Sequence, residues 1–593
     1  MCGFVGGISR DQIDITNLNN ANEDIICRGP DSKKISNGKF VNYNFSLIFN
    51  RLSILDLDRV ADQPMHSEDG EYVLLFNGEI YNHVQLRKEL ERKIRFKTHH
   101  SDSEVILNGL IVEGLDFVNK LQGQFSIVFI DLKEKLIHLV RDRIGQKPLY
   151  YKFEKDSVFF SSSLTSLLKI NKNYKLNENM LKEYLQNGIV GGSDTLFKNY
   201  FKVEPSESIT ISYNKNNLEL SKKKYWQIEN FVGEKAFDQS KFFSILSESI
   251  NLRGKADVPI ATFLSGGIDS SSIVKNMFEQ KKEINTFSVK FSDSKYDESY
   301  WSNLVAKKYN TNHTEVFVHT NIEHSDILEC LSSLDEPYYD PSVIPSYLIS
   351  KEISKYYKVA ISGDGGDELL GGYSRTMNSL KKFNKLETSF SYLYKLYPAA
   401  FGTGNIFLSK SSNLEKRYLS YLQDENFIKL LKLNPHDITN RIVLNKNFTP
   451  YKQLLIADYK FYLPDMMLYK IDRTSMSNSL EIRSPFVDHK LIEYVISSDT
   501  SYLDLNKSKA VLKKYLEDDF ESNFIDRKKQ GFAFNIENWV FSNLNILNEE
   551  INSGPVREFI PKNFSQKLSK IKSRINAHRI WKIYVLNNYL NNI

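Results

Sequence analysis

Val258-Pro-Ile-Ala-Thr-Phe-Leu264, followed without a break by Ser265-Gly-Gly-Ile-Asp-Ser-Ser-Ser272, decides how the second half of this chain folds. The first seven residues are short, apolar and partly β-branched, which predicts a buried strand. From Ser270 onward the spacing predicts a helix with Ile273, Val274, Met277 and Phe278 on one face. Between strand and helix lies a glycine turn. Gly266 and Gly267 let the backbone approach a ligand closely, and Ser265 and Ser270 offer hydroxyls. The unbonded N–H groups at the helix start then favour an anion. Asp269 would repel a bare anion, but it suits a Mg²⁺ that bridges phosphate oxygens. No lysine follows the glycines, so this is not a G-x-x-x-x-G-K-[ST] loop.

Outward from this stretch, strand and helix patterns alternate after residue 236, the signature of a doubly wound parallel sheet. Ile284 to Phe291 reads as the second strand, which puts Ser288 and Val289 toward its C-terminal end, where open α/β sheets bind nucleotides. Lys358-Val-Ala-Ile-Ser-Gly-Asp-Gly-Gly-Asp-Glu-Leu-Leu-Gly-Gly-Tyr373 repeats the design: a short strand runs into glycines, with Asp364, Asp367 and Glu368 at the turn. In isolation this could be a hydrated acidic loop; beside a Mg²⁺–ATP turn, a second metal ligand is the better reading. Residues 540–593 read as a peripheral helical tail without a site.

Residues 1 to about 170 differ in kind. Short apolar runs bounded by turns, such as Phe45–Phe49, Tyr72–Phe76, Phe125–Ile130 and Leu136–Val140, predict antiparallel sheets, with helices near 82–93 and 103–113. An α+β sandwich is the layered solution. If Met1 is removed, Cys2 carries both a thiol nucleophile and an α-amine of pKa ~8 that can act as its general base. Asn77-Gly78 is by itself a strong hairpin signal.

Length and composition bound the rest. A chain of 593 residues holds two to four domains. Formal charge is +5, from 78 basic and 73 acidic side chains, which argues against a dedicated nucleic-acid binder. Three cysteines make no disulfide framework and have no zinc-ligand spacing. No apolar run of about 18 residues predicts a membrane span, and the first residues do not read as a signal peptide. A reducing, cytoplasmic setting with small-molecule partners is expected, with no nucleic acid and no membrane; a homodimer is left open.

The motifs also carry a resemblance. Ser265-Gly-Gly-Ile-Asp-Ser-Ser271 is similar to the pyrophosphate loop of the ATP pyrophosphatases. Met1-Cys-Gly, Arg28-Gly-Pro-Asp31, Arg51-Leu-Ser-Ile-Leu55, Phe76-Asn-Gly-Glu-Ile-Tyr-Asn82, Ser101-Asp-Ser-Glu104 and Arg141-Asp-Arg-Ile-Gly-Gln-Lys-Pro-Leu-Tyr150 resemble the class II glutamine amidotransferase domain. With Leu463-Pro-Asp-Met-Met-Leu468, Asp472-Arg-Thr-Ser-Met476, Leu480-Glu-Ile-Arg-Ser-Pro-Phe-Val-Asp488 and Arg527-Lys-Lys-Gln-Gly-Phe532, most of 1–535 resembles the glutamine-hydrolysing asparagine synthetase B family. The resemblance implies an α+β N-terminal-nucleophile sandwich with its connector over 1–215, then an α/β doubly wound ATP-pyrophosphatase domain over 236–593.

It also implies roles. Cys2 attacks the glutamine amide, Asn77 and Gly78 stabilise the oxyanion, Arg51 binds the α-carboxylate, and Glu79 and Asp102 accept from the α-ammonium. Leu264, Ser265, Gly266, Gly267, Asp269, Ser270, Val289, Ser362 and Gly363 would bind ATP, and Asp269 and Asp367 would hold Mg²⁺. Asp364 would handle an acyl-adenylate, and Lys529, with Lys528 beside it, fits the catalytic lysine. The implied reaction turns glutamine, aspartate and ATP into asparagine, glutamate, AMP and pyrophosphate; the alternative is amidation of another carboxylate, such as a sugar acid of surface-polysaccharide biosynthesis. Three departures stand out: Cys27 where the family has His, Phe160-Ser-Ser-Ser163 where it has Phe-Ala-Ser-Glu, and Asp364 where asparagine synthetases have Glu.

Overall fold

Two antiparallel six-stranded sheets face each other in the N-terminal unit. The computed structural model describes residues 2–171, 173–214, 217–291, 297–318, 322–438, 441–442, 444–504, 507–527 and 535–593. In spatial order the first sheet is Tyr200–Lys202, Tyr150–Glu154, Ser157–Ser161, Cys2–Ser9, Tyr43–Arg51 and Ser32–Phe40. The second is Asn217–Lys224, Glu207–Asn214, Leu136–Arg141, Gly123–Asp131, Tyr72–Ile80 and Met65–His66. Alternation along the strands sets the layers. Phe4, Leu47 and Phe49 point between the sheets to meet Leu75, Val128 and Ile130. Val5 and Ile48 point the other way, against Leu18, Leu164 and Leu167 of the helices Ile15–Glu23 and Leu164–Ile170. On the far side Leu86, Val105, Ile106 and Leu110 of the helices His83–Leu90 and Asp102–Glu113 cover Phe76 and Phe125. Helix, sheet, sheet, helix is the α+β sandwich that the sequence predicted.

One expectation changes here. Asn77-Gly78 is no hairpin turn: both residues lie inside the strand Tyr72–Ile80, paired with Ser126 and Phe125. The strands Glu207–Asn214 and Asn217–Lys224 pair with each other, and the first pairs onto Leu136–Arg141, so the pairing extends to Lys224.

The second unit holds a five-stranded parallel sheet in the order Asn312–Val318, Asn285–Phe291, Ile260–Phe263, Val359–Ile361, Glu481–Arg483. The first of these in the chain stands at the centre, and the order reverses between it and Val359–Ile361, the switch point at which doubly wound sheets bind ligands. The helix after the central strand spans Ile268–Glu279. Ile273, Val274 and Met277 are buried on it, whereas Phe278, at the edge of that stripe and next to the helix end, is 48% exposed.

The C-terminal residues are not peripheral. The helix Arg574–Asn591 runs through the largest core, where Trp581 and Tyr584 are fully buried. That core also holds Tyr184 and Leu185 of the N-terminal half, and Tyr184 donates to the Lys582 carbonyl at 2.9 Å. The helix is polar by composition, but its Arg579 pairs with Asp424 at 2.7 and 3.0 Å and its Lys582 donates to the carbonyls of Leu185 and Gln186, so these two buried cations are satisfied inside.

Candidate active site

The first cluster lies where the two N-terminal sheets converge. Cys2 opens the central strand of one sheet and Asn77 sits on a strand of the other; the Cys2 backbone nitrogen donates to Asn77 Oδ1 at 3.0 Å. That bond fixes the amide's orientation and leaves Asn77 Nδ2 buried with no hydrogen-bond partner among the described residues. A buried amide donor beside a nucleophile, with nothing to donate to, is what a developing oxyanion requires. Gly78 follows at φ +155°, and a Cβ there would lie 2.0 Å from the Gln124 carbonyl oxygen, so only glycine passes. Burial pushes the Cys2 thiol up, so activation needs a base close by.

Arg51 pairs with Cys2 in register across the sheet. Its guanidinium is held by Asp62 at 2.8 Å and by the carbonyls of Leu55, Asp56 and Asp58, which fixes it in place. Glu79 and Asp102 are buried next to each other, and burial raises both carboxyls. Asp102 accepts from the Ile80 nitrogen at 3.0 Å. Glu79 faces Arg483 of the second unit, 3.1 Å away, and the same guanidinium bonds Glu481 at 2.6 Å. Burial would raise the Glu481 carboxyl, but Arg483 and Lys147, with the N-terminal charge, together outweigh it and hold it at about 2, and its charge is felt at the Cys2 thiol. Arg483 and Glu481 were visible in the sequence as part of a motif, yet nothing there tied them to the glutamine pocket.

The units are joined by buried ion pairs. Arg28 donates to the Cys2 carbonyl at 3.3 Å and grips Asp472 with both terminal nitrogens at 2.9 and 3.2 Å. Lys147 adds a second cation at 3.3 Å. Burial alone would raise Asp472; these cations hold it well below the carboxylate range. The carboxylate missing at Ser163 reappears from the other unit: Ser163 donates to Asp335 Oδ1 at 2.6 Å, and Asp335 pairs with Arg473.

The second cluster lies at the switch point. Gly266, at φ +69°, turns the chain out of the central strand, and a Cβ there would sit 2.6 Å from the Ser302 nitrogen. Ser265 Oγ accepts from the Gly267 nitrogen and lies 3.2 Å from Ser270 Oγ, so the hydroxyls brace the turn. Leu264 is buried, its nitrogen bonded to the Phe287 carbonyl at 2.7 Å. The second glycine turn nests against the first: a Cβ on Gly363 would be 3.0 Å from Asp269 Cβ, and one on Gly366 2.6 Å from Asp269 Oδ1. Ser362 bonds the Arg483 carbonyl and Ser484 Oγ, tying this turn to the last strand. Asp364 is half-buried at its crest. Val289 lies within its strand, which continues to Phe291, rather than at the strand's end.

Lys509 closes the cluster. Its ammonium sits between Asp269 and Asp367, 2.6 Å from Asp367 Oδ1. The residue takes a left-handed φ of +57°, and a Cβ on Gly372 would come 2.3 Å from its Cε, so the fold makes room for it. The sequence did not single out Lys509; residues 528–534, with the expected catalytic Lys529 and its neighbour Lys528, lie outside the described residues. Arg527, just before them, donates to the Gly266 carbonyl at 3.0 Å and pairs with Glu298 at 2.6 Å. Asp269 and Asp367 converging on one cation is donor chemistry that suits Mg²⁺; among the described residues no third His, Cys, Asp or Glu joins them.

Comparison with known proteins covers both units. The family model described as asparagine synthase matches residues 241–587, and that for the glutamine amidotransferase domain matches 1–226. The chain belongs to the asparagine synthase family. "Asparagine synthetase [glutamine-hydrolyzing] 1" of Bacillus subtilis is 29% identical, covering 99% of this chain and 96% of that protein. "Putative asparagine synthetase [glutamine-hydrolyzing] 2" of Methanocaldococcus jannaschii is 31% identical over 80% of this chain and 98% of its own length. "Amidase chyE" of Penicillium rubens is 26% identical over 79% and 76%. Family membership accounts for a glutaminase sandwich fused to an ATP-binding sheet in one chain.

Proposed function

We propose that the protein forms an amide by ATP-dependent, glutamine-hydrolysing ligation with aspartate as acceptor, giving asparagine, glutamate, AMP and pyrophosphate. The observation that carries the reading is the buried, unpartnered Asn77 amide donor on the side chain that Cys2 bonds, in a chain that also holds the nested glycine turns. With Met1 removed, the Cys2 thiol passes its proton to its own α-amine as sulfur adds to the glutamine amide carbon. The oxyanion forms at Asn77 Nδ2, ammonia leaves, and water cleaves the thioester to glutamate. Arg51 suits the substrate carboxylate and Glu79 with Asp102 suits its ammonium, which competes with Arg483 for Glu79.

In the second unit an acceptor carboxylate oxygen attacks the α-phosphorus of ATP, the bond to pyrophosphate breaks, and ammonia then displaces AMP from the acyl-adenylate. Lys509 stands where phosphate charge develops, and Leu264, Ser265, Gly267, Ser270, Val289, Ser362 and Gly363 line the nucleotide's approach. Asp269 and Asp367 would hold Mg²⁺, which when bound neutralises the phosphate leaving group. We place the reaction in the cytoplasm, where a thiol such as Cys2 stays reduced.

Asp364 favours a second reading with the same machinery and another acceptor acid, such as a sugar acid, because its side chain is one methylene shorter than the family's glutamate. The test of the two-site mechanism is Cys2→Ala. Glutamine-dependent product should vanish while ammonia-dependent product stays near wild type; equal loss with ammonia would reject it.

A further inference from the structure

An insertion-like stretch of short helices, Lys385–Ser389, Phe390–Leu396, Ala399–Phe401 and Asn405–Leu408, takes no part in either cluster. Its inner side is pinned to the body of the protein. Arg579 donates to the carbonyls of Ala399 and Gly402, Asn426 to that of Thr403, and Asn405 to that of Gln423, while Tyr394 is buried. Its outer side is apolar and bare: Leu386, Tyr392, Leu396, Phe401 and Ile406 are each between 67% and 78% exposed, with Phe390 and Leu393 beside them. Apolar side chains are often half-exposed singly; this many within some twenty residues form a patch, and such patches mark contacts.

The charge of the patch says what kind of contact. Residues 381–417 carry seven basic and two acidic side chains, a surplus equal to the +5 of the whole chain, so the rest of the molecule balances. Lys381, Lys382, Lys385, Lys395 and Lys416 are exposed within the same stretch of chain. Lys410 lies over the Phe390 ring and Arg417 over Phe383, stems along the apolar surface and charges at its edge. We propose that this face docks on an anionic lipid surface, with Leu386, Tyr392, Leu396, Phe401 and Ile406 entering the headgroup boundary and the lysines meeting lipid phosphates. An apolar face rimmed by lysine is the composition of interfacial binding. A second copy of the chain would bring the same positive rim against itself, which disfavours that occupant. Among the described residues no helix is long and apolar enough to cross a membrane, and docking of this kind needs none. The sequence expectation of no membrane rested on the missing span alone.

Flotation of the full chain with phosphatidylcholine vesicles, and with vesicles containing phosphatidylglycerol, tests the proposal. The wild type should float only with the anionic vesicles and detach at high salt. Lys382→Gln/Lys385→Gln/Lys395→Gln should weaken binding by about fivefold per lysine removed, on the order of 100-fold together. Leu386→Ser/Leu396→Ser/Phe401→Ser should abolish binding at any salt. Both variants should retain glutamine-dependent activity in solution, since the patch lies outside the catalytic clusters. Three results would overturn it: no flotation of the wild type, variants floating like the wild type, or light scattering in which the Leu386/Leu396/Phe401 variant turns an oligomer into a smaller species, which would make a second copy the occupant.

Discussion

At the scale of single residues the proposed chemistry can be tested at Asn77 and Lys509. Removing one oxyanion donor costs about 100- to 1000-fold in kcat, so Asn77→Ala should lower glutamine hydrolysis by that factor and spare ammonia-dependent synthesis. Unchanged hydrolysis would mean that the buried amide serves packing alone. Lys509→Met should remove AMP formation with ammonia by at least about 100-fold while glutamine hydrolysis persists. If Lys529→Met has that effect and Lys509→Met does not, the ammonium between Asp269 and Asp367 is structural. These two residues also mark how far the sequence could be read. Cys2, Arg51 and Asn77 sit in local motifs whose spacing a fold cannot hide. Lys509 lies in a polar run containing Lys507 and Lys513. Only the left-handed turn and the gap at Gly372 distinguish it from them, and both are tertiary facts.

At the scale of elements, Asp488 shows how buried charge fastens helices together. It caps the helix His489–Ser497 through the Lys490 nitrogen, pairs with Arg253 at the end of Gln239–Arg253, and accepts from Gln122 of the N-terminal unit. Burial would raise its carboxyl, yet Arg253, His489 and the Gln122 hydrogen bond together outweigh burial and bring it from 3.8 down to about 2. A lowered carboxyl stabilises the fold fully above its unfolded value and loses that contribution as pH falls toward the folded one. Asp488→Asn should therefore cost on the order of 2 kcal/mol at neutral pH, measured by denaturant unfolding. Its deficit against the wild type should shrink between about pH 4 and pH 2. A deficit that stays constant over that range would assign the loss to the cap and not to the charge. Strand and helix placement was legible here because period-2 and helical patterns are local. The role of Arg574–Asn591 was not: its polar composition reads as surface, and only its partners Asp424, Tyr184 and Tyr339 explain why it is buried.

At the scale of the whole molecule, the two units act as one because ions are buried between them. Arg28, Lys147 and Asp472 bind the Cys2 strand to the second unit, and Arg483 spans from Glu79 to the strand that carries the second glycine turn. Breaking a buried pair from one side costs about 3–5 kcal/mol, so the seam is strong enough to keep both clusters in register. The family's glutamate at position 163 was legible as missing, but the bond from Ser163 to Asp335 in a distant part of the chain was not, because no sequence spacing links them. In the proposed function, glutamine hydrolysis, ATP cleavage and amidation of aspartate are one coupled reaction. The most direct measurement is the ratio of asparagine to AMP to glutamate produced by the wild type with saturating glutamine, aspartate, ATP and Mg²⁺. The account predicts that the three form in equal amounts and that AMP release needs aspartate. Glutamate formation without aspartate-dependent AMP would contradict it and move the acceptor to another acid.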